Sequence, residues 1–411
     1  MKRRVVVTGI GAVTPIGNTV DEMWESILSS KIGIDKITHF DTSDYKVKLA
    51  AEVKNFDPDK FMTRKEKRSL DIVAVYAMAA AAQAAEMSGI SAENITDPYR
   101  CGVMIGTASA GQTTFEHEAV QLHEKGCRAV SVFSMPKFLG NTLSGQVAIK
   151  YGFKGKCFNV ASACATGTHA IGEAYRSISC GDCDMMFTGG ADACITPLAV
   201  AAFQSLTALS FSDDPKRASI PFDKERNGFV MGEGAGVLVL EEYEHAVKRN
   251  APILGEIVGY GATCDAEHIT APNSDGSAHA MMSALCEAGI SCKDIDLINA
   301  HGTSTVANDK AETEAVRAVF GKDNPDVMIQ SSKSLTGHML GAAGAVECII
   351  CIKEMLESYV HENAGLNETE PEMDLNYVKM PQKNKKLQYI MSNSLAFGGQ
   401  NGSLIIRDTR S

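Results

Sequence analysis

The chain has 411 residues, of which 45% are hydrophobic and 22% charged; this composition excludes wholesale disorder and allows one large core or two fused domains. A formal charge of -11 argues against a general nucleic-acid binder, whose footprint is a basic balance or a long basic face. No apolar run reaches the roughly 18 residues that a membrane helix needs.

RRVVVTGIGAVTPIG (residues 3–17) reads as a strand ending in a glycine-rich turn. Its apolar part is broken by Thr8, Gly9 and Gly11, with no small-residue cleavage site behind it, so it is not a signal peptide and the expected location is the cytoplasm. Gly9 and Gly11 give G-x-G after a strand, but the third fingerprint position is Thr14 and no acidic partner follows at the required distance, which speaks against a nucleotide cofactor.

TRKEKRSLDIVAVYAMAAAAQAAEM (residues 63–87) opens with Thr63 and Glu66 in capping-box spacing, which predicts a helix start there. Arg64, Lys65, Lys67 and Arg68 then fall in or beside the first turn. Cations at that end oppose the helix dipole by about 0.3–1 kcal/mol each when exposed, so a basic cluster there in an acidic chain points to an acidic partner. The bland alternative is a solvated charged face with Glu66 and Asp71 as local partners.

ASACATGTH (residues 161–169) places Cys164 between a strand-like run and a helix-like run, at or near a helix N-terminus. The dipole and free N–H groups there favour a thiolate. Twelve cysteines in a reducing compartment read as thiols, and a buried inert thiol fits most of them. The C-x-x-C pairs Cys180/Cys183 and Cys348/Cys351 lack histidines at zinc-site spacing, and core packing is the better account.

A second strand-like run, ILGEIVGYGAT (residues 253–263), repeats the plan of the first about 250 residues later. Helix-like and strand-like segments alternate after each, an α/β pattern. CATGTHAIGEAYRSI from Cys164 and GHMLGAAGAVECIICIKEM from Gly337 are both helix patterns poor in bulk, suited to lie deep between layers. The expectation is two similar halves, residues 1–250 and 251–411, packed as one body with these two helices in the middle.

NAHGTSTVAND (residues 299–309) and SSKSLTGHMLGAAGAVE (residues 331–347) combine polar residues with glycines in a way core packing seldom needs. Either His301 or His338 alone would read as a structural histidine. Two histidines, Lys333 and Cys164 in small-residue passages make a catalytic constellation.

From VVVTGIGAVTPIG through SACATG, PFDKERNGFVMGEGAG and HGTST to KSLTGHMLGAAG and NSLAFGGQN, the chain resembles the type II β-ketoacyl-acyl-carrier-protein synthases of the thiolase superfamily. The resemblance implies a thiolase-like α/β fold of two duplicated halves in α-β-α-β-α layers. It implies an acyltransferase that holds an acyl chain on Cys164, decarboxylates malonyl-carrier and condenses the two, with no cofactor required. His301 and His338 complete a Cys-His-His triad, Lys333 accompanies them, and backbone N–H groups of Cys164 and Phe397 form the oxyanion site.

By the same resemblance Thr303 and Thr305 bind the pantetheine arm, although threonines in GTST also suit turn chemistry. Phe203, Phe229 and Ser109 belong to the substrate pocket, and Glu347 organises the histidine region. Asn299, Glu347, Ser392 and Asn393 match positions that hold a monovalent cation in some relatives. Partners would be an acyl carrier protein, docking on Arg64, Lys65, Lys67 and Arg68, and a second copy of the chain; nucleic acid and membrane are not expected. Two departures bear on selectivity: Ser109 stands where relatives carry a bulky aliphatic residue, and Ala396 with Gln400 alters the usual GFGG gate. Alternatives are a specialised type II polyketide or polyene ketosynthase, or a non-catalytic chain-length partner.

Overall fold

The computed structural model describes residues 2–321 and 323–410. Nine strands form its main sheet: β1 Val5–Val13, β2 Cys101–Gly106, β3 Met185–Asp192, β4 Gly234–Glu242, β5 Gly255–Cys264, β6 Leu297–Asn299, β7 Met328–Gln330, β8 Tyr389–Leu395 and β9 Gln400–Arg407. Their order is β2-β3-β4-β1-β5-β9-β8-β6-β7. The first four strands therefore occupy one side and the last five the other. They join where Val5, Val6 and Val7 of β1 pair antiparallel with Ile257, Glu256 and Gly255 of β5.

Five helices set the layers: α1 Ile72–Ser88, α2 Thr166–Ser179, α3 Ser274–Ala288, α4 Val306–Phe320 and α5 Ala343–Glu357. α2 and α5 each touch strands of both sides, whereas α1 packs on β1, β3 and β4, and α3 on β5 and β9, with α4 beside α3. The result is an α-β-α-β-α stack. One buried cluster surrounds α2 and α5, a second lies under α1, and a third lies under α3 and α4.

The glycine-rich strands explain how the outer helices fit. A side chain at Gly9 or Gly11 of β1 would run into the carbonyl oxygens of Ala84 or Ala80 on α1. On the other side, Gly259 and Gly261 of β5 meet the carbonyls of Ala284 and Ala280 on α3 in the same way. A two-residue strand period faces a four-residue helix period in both halves. The first G-x-G is thus a packing device, in keeping with its poor match to a nucleotide fingerprint.

The basic segment departs from expectation. The capping box forms, with Glu66 N–H donating to the Thr63 hydroxyl and the Thr63 N–H to Glu66, but it starts a helix of only five residues, Arg64–Arg68. Asp71 then caps α1 separately, accepting from Val73 N–H and from Thr114. Asp71 is committed to these donors and is no partner for the basic cluster; a short acidic side chain at the break favours a new helix start over continuation.

Gly11→Ala and Gly261→Ala should each destabilise the fold by about 1–3 kcal/mol, because the neighbouring atom is helix backbone and only a lifted helix makes room. Urea unfolding midpoints check this, and unequal effects of opposite sign would contradict the equivalence of the two strand-helix contacts.

Candidate active site

Cys164 lies in a single 3-10 turn, Ala163–Ala165, that runs directly into α2. The Ser162 N–H donates to the Thr166 hydroxyl at 2.9 Å and fixes the turn. Ala163 takes a left-handed φ of 46°, a strained conformation for a residue with a side chain. His301 follows β6, and its N–H and that of Gly302 donate to the two oxygens of Glu312 on α4, each at 2.8 Å. His338 sits before α5, held as a strand would be: its N–H donates to Val230 O at 2.7 Å and its carbonyl accepts from Gly232 N–H at 2.8 Å.

These three segments converge. Polar atoms of Cys164, His301 and His338 lie within 4.8 Å of one another, and the two imidazoles stand edge to face at 5.3 Å between centroids. Phe229 packs on His338 at 5.3 Å, Phe203 on Phe229 at 5.4 Å, and Phe397 lies 6.5 Å from Phe203. Thr303 and Thr305 line the same cavity, with 2.9 Å between their hydroxyl oxygens. Thr305 also caps α4 through Asn308 N–H, so cavity lining and helix capping share one side chain.

Lys333 and Glu347 stand behind the triad, 1% and 1% exposed, and form an ion pair. Burial raises the proton affinity of Glu347 while the Lys333 charge opposes it. Burial, then the Lys333 charge, then His338 hold His301 well below the ordinary imidazole range; burial and Lys333 do the same to His338. Both rings are neutral and can each offer one N–H.

Cys164 stands at a helix start as expected, but burial there opposes the thiolate. Burial pushes Cys164 up to about 12, against the pull of Lys333 and the backbone N–H groups of Phe397 and Cys164 itself; the Asp192 charge adds to the rise. Desolvation outweighs the helix terminus, so the resting sulfur is protonated. The same N–H groups that face the sulfur are the pair expected to face an oxyanion.

Ser109 does not line this cavity. Its N–H donates to Asp192, and it borders a separate depression with Gly111, Gln112, Phe115 and Phe138. Arg64, Lys65 and Arg68 are exposed and form no ion pair among the described residues, whereas Lys67 is paired with Asp59. Arg68 lies 5.7 Å from the Phe133 ring centroid. Asn299 Oδ1 and Glu347 Oε2 are buried oxygens without hydrogen-bond partners; Ser392 accepts weakly from Asn299, and Asn393 accepts from Ser403. Cys348 and Cys351 are buried in α5, and no metal cluster other than the triad atoms occurs among the described residues.

Sequence reasoning missed three parts of the site. Glu312 and Asp309 are buried carboxylates three residues apart on α4; Asp309 accepts from Phe222 and Ser304 N–H, and their i, i+3 spacing is a readable signal. The loop at 268–272 forms one cavity wall, and nothing in its composition announces that. Asp192 is hidden in a strand pattern.

Because both histidines are neutral when folded and have ordinary values near 6.5 when unfolded, the stability they allow is complete above that pH and is lost on acidification. Each should cost about 1.4 kcal/mol per pH unit below about 6.5. Urea unfolding at a series of pH values should show this slope reduced in His301→Ala/His338→Ala; equal slopes would mean that the rings hold protons equally in both states.

The family model for "Beta-ketoacyl synthase, N-terminal domain" matches residues 2–246, and that for the C-terminal domain matches residues 254–367. The chain is 43% identical to 3-oxoacyl-[acyl-carrier-protein] synthase 2 of Vibrio cholerae, over 99% of each chain, and 45% identical to the Staphylococcus aureus protein of that name, over 98% of each. A β-ketoacyl synthase structure from Burkholderia phymatum superposes with a TM-score of 0.93 at 36% identity, covering 99% of this chain and 100% of that one. A type II polyketide ketosynthase solved with its acyl-carrier protein, AntDE:AntF, gives 0.91 at 31% identity, with 100% of both covered. On these matches along almost its whole length, the chain belongs to the β-ketoacyl synthase family.

Proposed function

We propose that the protein elongates fatty acyl chains by decarboxylative condensation: malonyl-acyl-carrier-protein reacts with an acyl chain on Cys164 to give β-ketoacyl-carrier and CO2. The observation that carries this reading is the meeting of a thiol, two neutral imidazoles and two backbone N–H groups at one sulfur. In loading, Cys164 Sγ attacks the acyl thioester as its proton leaves, the carrier thiol departs and takes up a proton, and the N–H groups of Cys164 and Phe397 receive the developing oxyanion. Malonyl-carrier then loses CO2, leaving an enolate whose oxygen accepts from the N–H groups of His301 and His338. The enolate carbon attacks the acyl-cysteine and the sulfur leaves, regaining one proton per turnover.

Neutral rings suit this better than imidazolium would, since an N–H donor is needed and no proton must be surrendered. Burial and, after it, the Lys333 charge keep both rings uncharged, and Lys333 is itself balanced by Glu347. Thr303 and Thr305 offer hydroxyls to the pantetheine arm along the cavity wall. Asn299, Glu347, Ser392 and Asn393 would hold a monovalent cation, which would order the histidine region without reacting.

The acyl carrier protein is taken to dock on Arg64, Lys65 and Arg68, whose exposure without ion-pair partners supports an acidic partner. Lys67 contributes less, being occupied by Asp59. A homodimer is supported by the exposed apolar side chains Phe115, Leu122, Val132 and Met135 around one depression, since soluble monomers seldom leave such area open. Residues 1–250 and 251–411 are taken as the two repeats, a division supported by the matched G-x-G contacts. Work in the cytoplasm fits twelve free cysteines, since a reducing compartment keeps thiols from pairing. No helix of the described residues is long and apolar enough to cross a membrane.

A second reading, a specialised polyketide or polyene ketosynthase, is favoured by the fold likeness to AntDE:AntF and to the ishigamide ketosynthase/chain length factor, TM-score 0.92 at 33% identity. Graded saturated acyl-carriers separate the two: product from medium and long saturated chains supports fatty-acid elongation, and exclusive use of polyene or poly-β-keto chains replaces it. A non-catalytic chain-length subunit is disfavoured by the complete triad.

Intact mass after incubation with acyl-carrier should show the acyl adduct on the wild type and none on Cys164→Ala; a folded wild type without adduct overturns the enzyme reading. Arg64→Glu/Lys65→Glu/Arg68→Glu should raise the carrier KM by about tenfold or more at low salt, with less effect at high salt, while iodoacetamide still reaches Cys164. Unchanged carrier kinetics would remove the docking assignment.

A further inference from the structure

Asp192, at the end of β3, is wholly buried and takes part in none of the steps above. Its Oδ1 accepts from the Thr107 hydroxyl at 2.9 Å and the Ser109 N–H at 3.1 Å; its Oδ2 accepts from the Ala108 N–H at 3.0 Å and the Gly341 N–H at 2.7 Å. The Cys194 sulfur lies 3.5 Å from Oδ1. The first three donors belong to the loop after β2, and the fourth to the turn that links His338 to α5. One carboxylate thus bridges the two halves of the fold at their seam.

The bridged segments are ones that would not hold their shape alone. Ala110 and Leu340 both have left-handed φ, 51° and 48°, a conformation residues with side chains avoid. Ala110 N–H donates to the Thr107 hydroxyl, which itself donates to Asp192. Gly341 leaves no room for a side chain, since a Cβ there would press on Asp192 Oδ2 and Ala108 N. Ala108 and Leu340 pack in the same cluster as Cys164, Phe203 and Phe229, so what fixes their backbones bears on the packing around Cys164.

We propose that Asp192 is a positioning residue for the condensation, a buried anionic clamp that locks the loop after β2 to the His338 turn beside Cys164. Three donors on Oδ1, the Cys194 thiol included, and two on Oδ2 leave neither oxygen with room for a proton, so the clamp is ionised although burial pushes its proton affinity up. That charge reaches Cys164, where it opposes Lys333 and strengthens the hold of the thiol on its proton. His301 and His338, both neutral, and the buried Cys194 thiol are the other titratable groups facing this region. The clamp therefore has two effects with separable signatures: it aligns Cys164 with His338, and it quiets the resting nucleophile.

This inference rests on the assignment of Cys164 as the acylated residue, and the test separates the two. Full-length wild type, Asp192→Asn and Asp192→Glu would be compared for condensation kinetics and for the pH profile of Cys164 alkylation by iodoacetamide, the labelled site read by peptide mass. Asp192→Asn should lower kcat by about tenfold or more with little change in carrier KM, since the misplacement lies at the chemistry and not at docking. It should also shift the alkylation profile about one pH unit lower, which is about tenfold faster labelling at pH 8. Asp192→Glu keeps the charge, so its profile should stay near that of wild type; a merely structural role would move both variants alike.

Wild-type kcat and an unshifted profile in Asp192→Asn overturn the proposal. Should Asp192→Asn fail to fold, Thr107→Val removes one donor and the Ala110 anchor while leaving the carboxylate, and kcat as high as wild type in that variant overturns the clamp equally. Acyl label on a wild-type residue other than Cys164 would remove the nucleophile assignment and leave the profile shift to decide the clamp.

Discussion

The close contact between the two central helices is the constraint on which the site depends. Gly167 near the start of α2 lies where a side chain would press on Gly341 O and the Ala345 backbone, and Gly344 of α5 lies equally close to Thr168. Gly190 of β3 and Gly236 of β4 accept the same backbone from the sheet side. With no side chains between them, the helix starts approach closely, and these starts carry Cys164 and, just before α5, His338. A bulkier seam would separate sulfur from imidazole and leave the other parts of the site without purpose.

Enclosure by this seam then decides the charges. Lys333 is the only fully buried lysine among the described residues, and Glu347 answers it directly. The imidazoles cannot take a second positive charge in the same dry space, so they stay neutral. Burial pushes Glu312 to about 7 despite its two backbone donors from Gly302 and His301. It thus sits at the edge of ionisation while holding the His301 loop. Cys164 is subject to the same desolvation, and its thiol is the group on which helix terminus and burial disagree most. The terminus still matters, because the N–H groups of Cys164 and Phe397 that fail to ionise the sulfur at rest nonetheless lower its proton affinity.

How much of this is legible in the sequence depends on whether a signal is local. The α/β alternation, the repeated strands and the small-residue helices are visible because strand and helix periods are short-range. Cys164, His301, Lys333 and His338 stand out through their glycine-flanked settings, and the structure brings them together. The ionisation state of Cys164 is not legible, because it is set by everything packed around the sulfur and not by its position before a helix. In the run at 63–87 the first cap is the conspicuous one, and a second cap at Asp71 divides the helix. Asp192 looks like the last residue of a strand, since four of its donors lie 83, 84, 85 and 149 residues away along the chain and only the Cys194 thiol is near.

The gate illustrates how geometry relocates a sequence difference. Alanine in place of glycine at 396 would restrict a hinge only if the backbone there were left-handed, and the left-handed residues of this turn are Gly398 at 96° and Gly399 at 75°. Ala396 instead closes the turn by hydrogen bonds to Gln400 and Gly399. Beside the sulfur the open volume is about 60 Å³, space for a few waters and not for an extended acyl chain. Phe203, Phe229 and Phe397 form the aromatic wall of that space. The Gly398 N–H bond to Ile269 O and the Asp265 N–H bond to Gly399 O, 2.7 and 2.8 Å, tie the turn that bears Phe397 to the segment that forms the opposite wall. Any swing of this turn would pivot on the two left-handed glycines and not on residue 396, whose backbone lies outside that region.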